Sequence, residues 1–554
     1  MKLMKNEVKT MPKMYKEKPG SKADIAKTKR VIFKKGEAID HSFTMRIKPL
    51  FKNRNVIHYG TVALIFSILT LLTPRVLPMF QLWSIIPALF LLIYIFITRR
   101  IFESLSLGIV LAFLMVVSSN LYVTPEALYG FEANEVLGFF DAINYSLIMN
   151  VANEDTAWLF IVCGLMGSFV ALIEQAGGVY AFGRWVAKRA KTKRSTLLWT
   201  WVLGLIIFVD DYLNALTVGS SMAPLTDEHK VSREYLAYVV DSTAAPDTTL
   251  IPVSTWAVFI AGLYSQTVSN YGLADSYGGG IRVFISSIPY NFYGWFSLLI
   301  VPLTIFGVIP LMGKLKRAEK RAQETGVLAP PGSEKIDIRG GQVLEEKPNA
   351  KVFNFFIPIL MLIGSTLLFG IDLMYGVIFT LAFMFIFYLV QGLIDGESFF
   401  ELAMKGFKNM LTPLLMVVLA YMFADGIKML GFMDYIVDVV SNNVPLWLLP
   451  ALVFLVFGFT EFIMGLSWGM YAIAIPLVTV LAFTLGIHPG LLIAAVVSAG
   501  VWGSHVCFYS DATILSSSAT GCDNFEHATS QLPYGLIAAG AAFIAFLITG
   551  IIVL

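Results

Sequence analysis

The stretch FVDDYLNALTVGSSMAPLTD, residues 208–227, lies inside a run of sequence that is otherwise apolar enough to cross a membrane. It holds two adjacent aspartates, Asp210 and Asp211, followed by Asn214. An ionised carboxylate at the centre of a membrane helix costs about 2.5–3.5 kcal/mol on insertion scales. Both carboxylates fit a water-filled cavity at a helical turn, where they can bind a cation or a proton and share one face with Asn214. The alternative for Asp210 is that it caps the N-terminus of a half-helix.

The composition of the whole chain is that of a membrane protein. Of its 554 residues, 57% are hydrophobic and 14% are charged, whereas a soluble protein carries about a quarter charged residues. Apolar runs of roughly 18–25 residues recur along the chain, and α-helices satisfy their own backbone hydrogen bonds in lipid. We therefore predict an all-α polytopic protein in a lipid bilayer. The predicted apolar segments are 56–74, 79–98, 101–121, 157–182, 197–226, 235–268, 284–311, 353–371, 374–394, 409–430, 446–483, 487–522 and 533–553.

Positive charge is concentrated before the first apolar run. Residues 1–54 hold sixteen Lys or Arg and five Asp or Glu. Because cytoplasmic segments of membrane proteins carry an excess of Lys and Arg, we predict a basic cytoplasmic tail at 1–55. In the alternative, this tail contacts anionic lipid or a partner. The basic segments 183–194 and 314–351 are also predicted to lie inside, and the acidic segment 123–156 outside.

The predicted sides constrain the topology. Three apolar segments separate the two internal basic segments, and this odd number requires that one segment, 197–226, enter and leave on the same side as a re-entrant helical hairpin. The same reasoning makes 446–483 a second hairpin. Each hairpin is followed by a predicted broken transmembrane helix, at 235–268 and 487–522, as in transporters built from inverted repeats. The predicted organisation is two transmembrane helices at 56–100, a first repeat at 101–311, a cytoplasmic linker at 312–352 and a second, inverted repeat at 353–554.

A weak sequence echo supports the repeat. When the two predicted hairpins are aligned without gaps, Asp211 falls on Glu461 and Gly219 falls on Gly469. Glu461 is the one carboxylate of the second predicted hairpin. We therefore include Glu461 among the candidate ion-binding residues.

The first predicted broken helix carries the polar stretch YVVDSTAAPDTTLIPVSTW, residues 238–256. Pro246 removes one backbone donor, and the surrounding Ser and Thr residues favour unwinding. Unwound backbone and hard oxygen ligands suit Na+. The alternative is a polar loop at the membrane interface. The candidate ligands are Asp241, Ser242, Thr243 and Asp247.

The second predicted broken helix repeats this chemistry in GSHVCFYSDATILSSSATGC, residues 503–522. His505 is a candidate pH sensor, because the ordinary pKa of a histidine lies near neutral pH, with a hydrogen-bonded structural histidine as the alternative. The candidate ligands of this stretch are Ser510, Asp511 and Thr513.

These oxygen sets predict a site for Na+ and H+. Our hypothesis places Asp211, Asp241 and Asp511 around the Na+ ion. The sequence has no phosphate-binding loop, nucleotide motif or metal-ligand spacing, so we predict no cofactor, no enzyme activity and no nucleic-acid partner. The three cysteines are too scattered for a disulfide framework.

Two long stretches resemble the NhaC-type Na+/H+ antiporters of the wider ion-transporter superfamily. They are GLIIFVDDYLNALTVGSSMAPLTDEHKVSREYLAYVVDSTAAPDTTLIPVSTW, residues 204–256, and SDATILSSSATGCDNFEHATSQLPYGL, residues 510–536. With the span pattern, the resemblance covers most of residues 100–554. It implies a secondary transporter in the inner (plasma) membrane of a prokaryote, a homodimer with inverted repeats and an elevator-like motion. Members exchange Na+ for H+, and some resemble exchangers or Na+-coupled importers of organic acids or amino acids.

The chain departs from the family pattern beside the predicted site. Many members read GDHCSPISDTTILSS where this chain reads GSHVCFYSDATILSS, so Ser504 replaces an acid. Asp247 stands where an uncharged residue is usual. The substrate therefore stays open between Na+/H+ antiport and Na+-coupled transport or exchange of a small organic acid or amino acid. A third alternative is a non-transporting receptor or scaffold, in which carboxylates repeated in both halves have no purpose.

Overall fold

The computed structural model describes most of the chain after the basic tail. The described residues are 54–77, 81–98, 100–119, 138–178, 181, 185–186, 189–331, 333, 349–370, 372–465 and 467–554. The predicted cytoplasmic tail lies outside the described residues up to position 53. The chain divides into a first unit, residues 1–67, in which helix α1 (Arg54–Val76) begins, and a second unit, residues 68–554, which holds the elements that form the site.

The described ranges fold into α-helices and short 3₁₀ turns. The helices up to the linker are α2 (Ile86–Thr98), α3 (Ile101–Ser118), α4 (Phe139–Ala152), α5 (Glu154–Gln175), α6 (Lys193–Ile206), α7 (Asp211–Glu228), α8 (Arg233–Asp241), α9 (Ala245–Thr248), α10 (Thr255–Asn270), α11 (Gly280–Ser287) and α12 (Phe292–Phe306). From the linker onward they are α13 (Gly313–Thr325), α14 (Phe353–Leu368), α15 (Leu373–Val390), α16 (Gly396–Asn409), α17 (Leu411–Met429), α18 (Phe432–Asn443), α19 (Leu449–Met464), α20 (Ser467–Leu485), α21 (Pro489–Val506), α22 (Asp511–Thr520) and α23 (Asn524–Val553).

The predicted fold class is confirmed. Among the described residues, eight helices are long and apolar enough to cross a membrane, or nine if one bent pair counts as a single span. The bent pair is α11 with its 3₁₀ extension and α12, which meet at an angle of 49° inside the predicted segment 284–311. The chain is therefore an all-α, multi-pass membrane protein.

The first predicted hairpin is a pair of packed helices, α6 and α7, interrupted over residues 207–210. Helix α6 has 14 residues, a length of about 21 Å at 1.5 Å per residue. This is shorter than the hydrocarbon core of a bilayer, about 30 Å thick. The short helix supports a re-entrant hairpin, and its entry and exit on one side of the membrane stay a prediction.

The second predicted hairpin is the packed pair α19 and α20. Its chain reverses at Gly465, whose φ of +68° is a left-handed conformation that glycine adopts without a steric penalty. Unlike α6, each helix of this pair belongs to a 19-residue stretch that is long and apolar enough to cross a membrane. The re-entrant path of this pair therefore stays a prediction that helix length does not support.

Both predicted broken helices are interrupted as expected. Helix α8 ends at Asp241, a short turn α9 with Pro246 in its first turn follows, and α10 begins at Thr255. Helix α21 ends at Val506, and α22 begins at Asp511. The polar stretches quoted above thus lie where helical hydrogen bonding stops, which leaves backbone groups available to other partners.

The two halves of the chain pack across each other at these breaks. Helix α7 of the first hairpin packs against α22, and α20 of the second hairpin packs against α10. The second helix of each hairpin therefore contacts the second half of the other repeat's broken helix. This packing arrangement brings the polar interruptions from both halves into the interior of the helix bundle.

The acidic segment 123–156, which was predicted to lie outside without an assigned structure, contains helix α4 and the beginning of α5. Helix α4 is held by a buried polar contact that its local sequence does not predict. Ser146 and Asn150 donate hydrogen bonds of 2.6 and 2.8 Å to the same oxygen of Asp425 on α17. The helix was missed because this partner lies far away along the chain.

The predicted linker also contains structure, because α13 docks onto the first repeat. The carboxylate of Glu319 is buried, pairs with Lys193 and accepts hydrogen bonds of 2.8 and 2.9 Å from the backbone and side chain of Ser232. Arg321 forms two hydrogen bonds, of 3.0 and 2.9 Å, with Glu234. The basic linker therefore begins as a helix fixed at the first turns of α6 and α8.

Candidate ion-binding site

Asp210 lies at the interruption of the first hairpin and caps α7. Its side chain accepts a hydrogen bond of 3.0 Å from the backbone N–H of Leu213, the geometry of an N-cap. Its other oxygen accepts a bond of 3.1 Å from the hydroxyl of Thr255 at the first turn of α10. The backbone N–H of Thr255 also donates to the carbonyl of Val209, at 2.9 Å. Asp210 therefore joins the first hairpin to the first broken helix, as the capping alternative expected.

Asn214 joins the same two elements one turn later. Its amide nitrogen donates to the carbonyls of Gly204, Ile207 and Thr243, at 2.8, 3.2 and 2.9 Å. The first two carbonyls lie at the end of α6, and the third lies at the break after α8. A side chain at Gly204 would collide with that of Thr243, so glycine permits this approach. Asn214 and Thr243 thus fix the backbone around the site.

Asp211 begins α7 and, unlike Asp210, has an oxygen without a partner. Its side chain is 4% exposed, and its Oδ1 atom has no hydrogen bond of normal geometry, although the indole N–H of Trp256 interacts with this carboxylate. Glu461 on α19 is fully buried, accepts a bond of 3.1 Å from Ser467 on one oxygen and has no partner on Oε2. A buried acceptor without a donor is unfavourable by about 1–3 kcal/mol, so each atom calls for an explanation.

Asp511, the first residue of α22, is the charged neighbour that Asp211 and Glu461 have in common. Its charge interacts with that of Asp211 and with that of Glu461. Both of its oxygens have partners, because Oδ2 accepts a hydrogen bond from the hydroxyl of Tyr212 and Oδ1 accepts one of 2.9 Å from the backbone of Ala512. We call Asp211, Glu461 and Asp511 the central carboxylate cluster.

Two helix N-termini meet at this cluster. Asp211 is the first residue of α7, Asp511 is the first residue of α22, and these helices pack together. Ser510 caps α22 by accepting from the backbone of Thr513, at 3.2 Å, and its hydroxyl lies 2.8 Å from that of Thr513. A helix N-terminus carries a partial positive charge, which stabilises a carboxylate in the first turn. The fold thus offsets part of the charge that it buries here.

Aromatic side chains enclose the central carboxylate cluster. Trp256 stacks on Trp468 with ring centroids 4.2 Å apart, and Tyr471 packs edge-on against Trp256. Tyr471 interacts electrostatically with Asp211 and Glu461, while its hydroxyl donates to the carbonyl of Val497, at 2.9 Å. These rings limit the access of water, so charge interactions in the cluster are stronger than in solvent.

Asp241 belongs to a second group of side chains. One of its oxygens accepts from Ser516 at 3.3 Å, and the other accepts from His527 at 3.2 Å and from Gln531 at 2.7 Å. The charges of Asp241 and His505 also interact. We call Asp241, His505, His527 and Gln531 the Asp241 cluster. Unlike Asp211 and Glu461, Asp241 has donors on both of its oxygens.

His505 is fully engaged in the Asp241 cluster. One ring nitrogen lies 3.2 Å from the hydroxyl of Ser242, and the other lies 2.8 Å from the hydroxyl of Tyr293 on α12. A histidine with polar partners on both nitrogens has its ring orientation and tautomer set by them. These contacts are those of the hydrogen-bonded histidine that was the alternative to pH sensing, and the pH-sensing role stays a prediction.

Asp247 lies in the short turn α9, is 4% exposed and has no hydrogen-bond partner on its Oδ2 atom.

In the part of the chain that the structure describes, no group of three or more His, Cys, Asp or Glu side chains is arranged to hold a metal ion. Of the three carboxylates predicted to bind Na+, Asp211 and Asp511 belong to the first cluster and Asp241 to the second, and the charges of Asp511 and Asp241 also interact.

Sequence reasoning missed three residues at these clusters. They are Tyr212, which donates to Asp511, and His527 and Gln531 of the Asp241 cluster. Tyr212 stands directly after the two aspartates, and its polar hydroxyl was not considered. His527 and Gln531 are four residues apart, a spacing that places both on one face of α23. That spacing within an apolar helix was the available signal for a buried polar partner of Asp241.

Comparisons with known proteins agree with this architecture. Residues 247–551 match the model of the Na+/H+ antiporter family. An uncharacterized protein of Haemophilus influenzae is 29% identical over 505 residues, which are 84% of this chain and 91% of that protein.

Two solved transporter structures resemble the fold. MtrF of Neisseria gonorrhoeae, described within a class of antimetabolite efflux pumps, has a TM-score of 0.51 at 13% identity, covering 81% of this chain and 94% of MtrF. The YdaH transporter of Alcanivorax borkumensis, described as having an unusual topology, has a TM-score of 0.51 at 13% identity, covering 74% of this chain and 89% of YdaH. At this identity the likeness concerns the fold alone.

Proposed function

The chain belongs to the Na+/H+ antiporter family, and from this premise we propose that it is a secondary transporter that exchanges Na+ for H+ by alternating access. The family match covers the second hairpin and both clusters except for Asp211 and Asp241, which lie upstream of it. The proposal therefore depends on the geometry of the site as well as on the family.

The central carboxylate cluster carries the proposal. Asp211 and Glu461 each have a buried oxygen without a donor. Both residues interact electrostatically with Asp511 and with Tyr471. Several negative charges buried together are unfavourable unless a cation or a proton neutralises them. A site that is neutralised by Na+ or by H+, but not by both together, is the requirement for exchange. We propose that Asp211 and Asp511 bind Na+ and that Glu461 takes part in the coupling to protons.

The surrounding helices are suited to alternating access. Interrupted helices that meet inside the bundle place backbone and side-chain oxygens away from both surfaces. With the N-terminus in the cytoplasm and a prokaryotic plasma membrane as the location, the cation would enter from either side in turn. The charge distribution supports this orientation, and the family resemblance supports a homodimer.

The site favours a cation over an organic acid. A carboxylate-bearing solute needs a free helix N-terminus or a basic side chain, but the first turns of α7 and α22 are occupied by Asp211 and Asp511. Among the residues whose burial is described, Arg233 is the one buried Lys or Arg. It is engaged by Asp227 at 2.6 Å and by the carbonyl of Thr520 at 3.0 Å. Na+-coupled transport of an organic acid or amino acid is therefore the second proposal.

The deciding experiment uses purified protein in proteoliposomes that contain a trapped pH dye. A pH gradient is imposed, and Na+, Li+ or K+ is added in turn. We expect saturable proton movement with Na+ or Li+, lost in Asp211→Asn and kept in Asp434→Asn, a matched change at an exposed aspartate of α18. If folded wild-type protein moves no protons on addition of Na+, antiport is excluded. A screen of amino and carboxylic acids for Na+-dependent uptake then tests the second proposal.

A further inference from the structure

The three carboxylates of the central cluster differ in whether each of their oxygens has a hydrogen-bond partner. Asp211 and Glu461 each have an oxygen without a partner, whereas Asp511 has none. The partner on Oδ1 of Asp511 is the adjacent backbone N–H of Ala512, which belongs to the same helical turn. The partner on Oδ2 is the hydroxyl of Tyr212, a side chain from the other half of the protein.

We propose that the hydroxyl of Tyr212 competes with the transported cation for Oδ2 of Asp511 and thereby sets the affinity of the site. This inference depends on the proposed function, because it assigns a specificity-determining residue to the same site. The hydroxyl hydrogen supplies partial positive charge at the oxygen that the cation would contact. The cation binds to Asp511 only after this hydrogen bond is released.

The position of Tyr212 fits a competitor. Tyr212 directly follows Asp211 in the first turn of α7, and the two side chains interact electrostatically. The hydrogen bond to Asp511 spans the packed contact between α7 and α22. A cation bridging Asp211 and Asp511 would join the same two helices. The hydrogen bond and the cation would therefore hold the same contact in alternative ways, and Asp511 has a partner in either case.

The competition has a predicted sign. A hydrogen bond to a charged group contributes about 1.5–3 kcal/mol, so its removal should tighten Na+ binding by about tenfold or more. If the hydroxyl oxygen were itself a ligand of Na+, removing it would weaken binding. The change Tyr212→Phe removes this one oxygen and keeps the ring, so it separates the two cases.

The experiment measures the Na+ concentration that gives half of the maximal increase in thermal stability of detergent-solubilised protein, at constant ionic strength. Tyr212→Phe should lower that concentration about tenfold or more. The matched control is Tyr388→Phe, because Tyr388 is buried and its hydroxyl donates to the carbonyl of Asn354, at 2.9 Å, away from the site. The control should reduce stability without changing the Na+ concentration required.

Each other result overturns the inference. Weaker Na+ binding in Tyr212→Phe would make the hydroxyl a ligand, and unchanged binding would make it a structural contact. If Na+ does not stabilise a wild-type protein that shows Na+-dependent proton movement in proteoliposomes, this inference is contradicted and the proposed function stands. If the proteoliposomes also show no such movement, the proposed function itself is rejected. If Tyr212→Phe fails to fold, infrared difference spectra of the wild type are decisive. Addition of Na+ must then change a tyrosine band, and an unchanged band contradicts release of the hydrogen bond.

Discussion

Asp211 and Glu461 of the central carboxylate cluster are buried, as is Asp241, yet these carboxylates differ in how many of their oxygens have hydrogen-bond donors. Asp241 receives donors on both oxygens, from Ser516, His527 and Gln531. Asp211 and Glu461 each keep an oxygen without a donor. A carboxylate with donors on both oxygens is a stable part of the packing. A carboxylate with an oxygen that lacks a donor has the capacity to bind a cation or a proton. The comparison therefore favours the central cluster for ion binding, and the roles of both clusters stay predictions.

After the loss of exchange expected for Asp211→Asn, the next largest effect on transport is expected from Glu461→Gln. This change keeps the shape of the side chain and its contact with Ser467, but it removes one charge from the central cluster. We expect Na+-dependent proton movement in proteoliposomes to fall by about tenfold or more, because a lost interaction of about 1.4 kcal/mol is a tenfold effect. Thermal stability in detergent should stay the same or rise. Exchange at the wild-type rate would remove Glu461 from the mechanism and weaken the contrast between the clusters.

Asp241→Asn is expected to affect stability more than ion selectivity. The asparagine keeps one acceptor oxygen and turns an N–H₂ group toward His527, Gln531 or Ser516. At least one buried polar group then lacks a partner, which should lower the free energy of unfolding by about 1–3 kcal/mol. Thermal unfolding in detergent measures this loss, and the preference for Na+ over K+ should persist in proteoliposomes. A stable variant without Na+-dependent exchange would instead restore Asp241 as a direct ligand, as the sequence predicted.

His527→Gln should have a smaller effect within the same cluster. A glutamine amide can replace the donor that Nε2 of His527 supplies to Asp241, so we expect a loss of about 1 kcal/mol in stability. His527→Ala, which removes the donor, should cost more and provides the matched comparison. Equal unfolding temperatures for the two variants would show that the contact between His527 and Asp241 contributes nothing to the fold.

The smallest effect on transport is expected from Asp247→Asn. Asp247 is buried in α9 and has an oxygen without a donor, but it belongs to neither cluster. Replacing a buried charge with a neutral side chain of the same shape removes a desolvation penalty. Stability in detergent should therefore rise, and the exchange rate should stay within about twofold of the wild type. Loss of exchange in a folded variant would add Asp247 to the ion pathway and make this departure from the family pattern a functional one.

Sequence alone located the interruptions of the helices but not the partners across them. The capping role of Asp210 was among the alternatives, because an aspartate before a helical turn has a local geometric meaning. The break around Pro246 followed from the missing backbone donor. By contrast, the sequence grouped Asp241 with Asp211 and Asp511 as Na+ ligands, but it did not show that His527 and Gln531 donate to Asp241. Helix α4 was missed for the same reason, since Asp425 lies far from Ser146 and Asn150 in the chain.

The sequence by itself determined the all-α membrane class, the polar interruptions and which carboxylates the polar stretches contain. It could do so because the length of apolar segments and local backbone chemistry depend on residues close together in the chain. What only the tertiary structure decided was which carboxylates are satisfied. Tyr212 reaches Asp511 across 299 residues, and His527 reaches Asp241 across 286. Such contacts are set by the packing of α7 on α22 and of α8 on α23. No local pattern fixes them, because helix packing is the sum of many apolar contacts distributed over both halves of the chain.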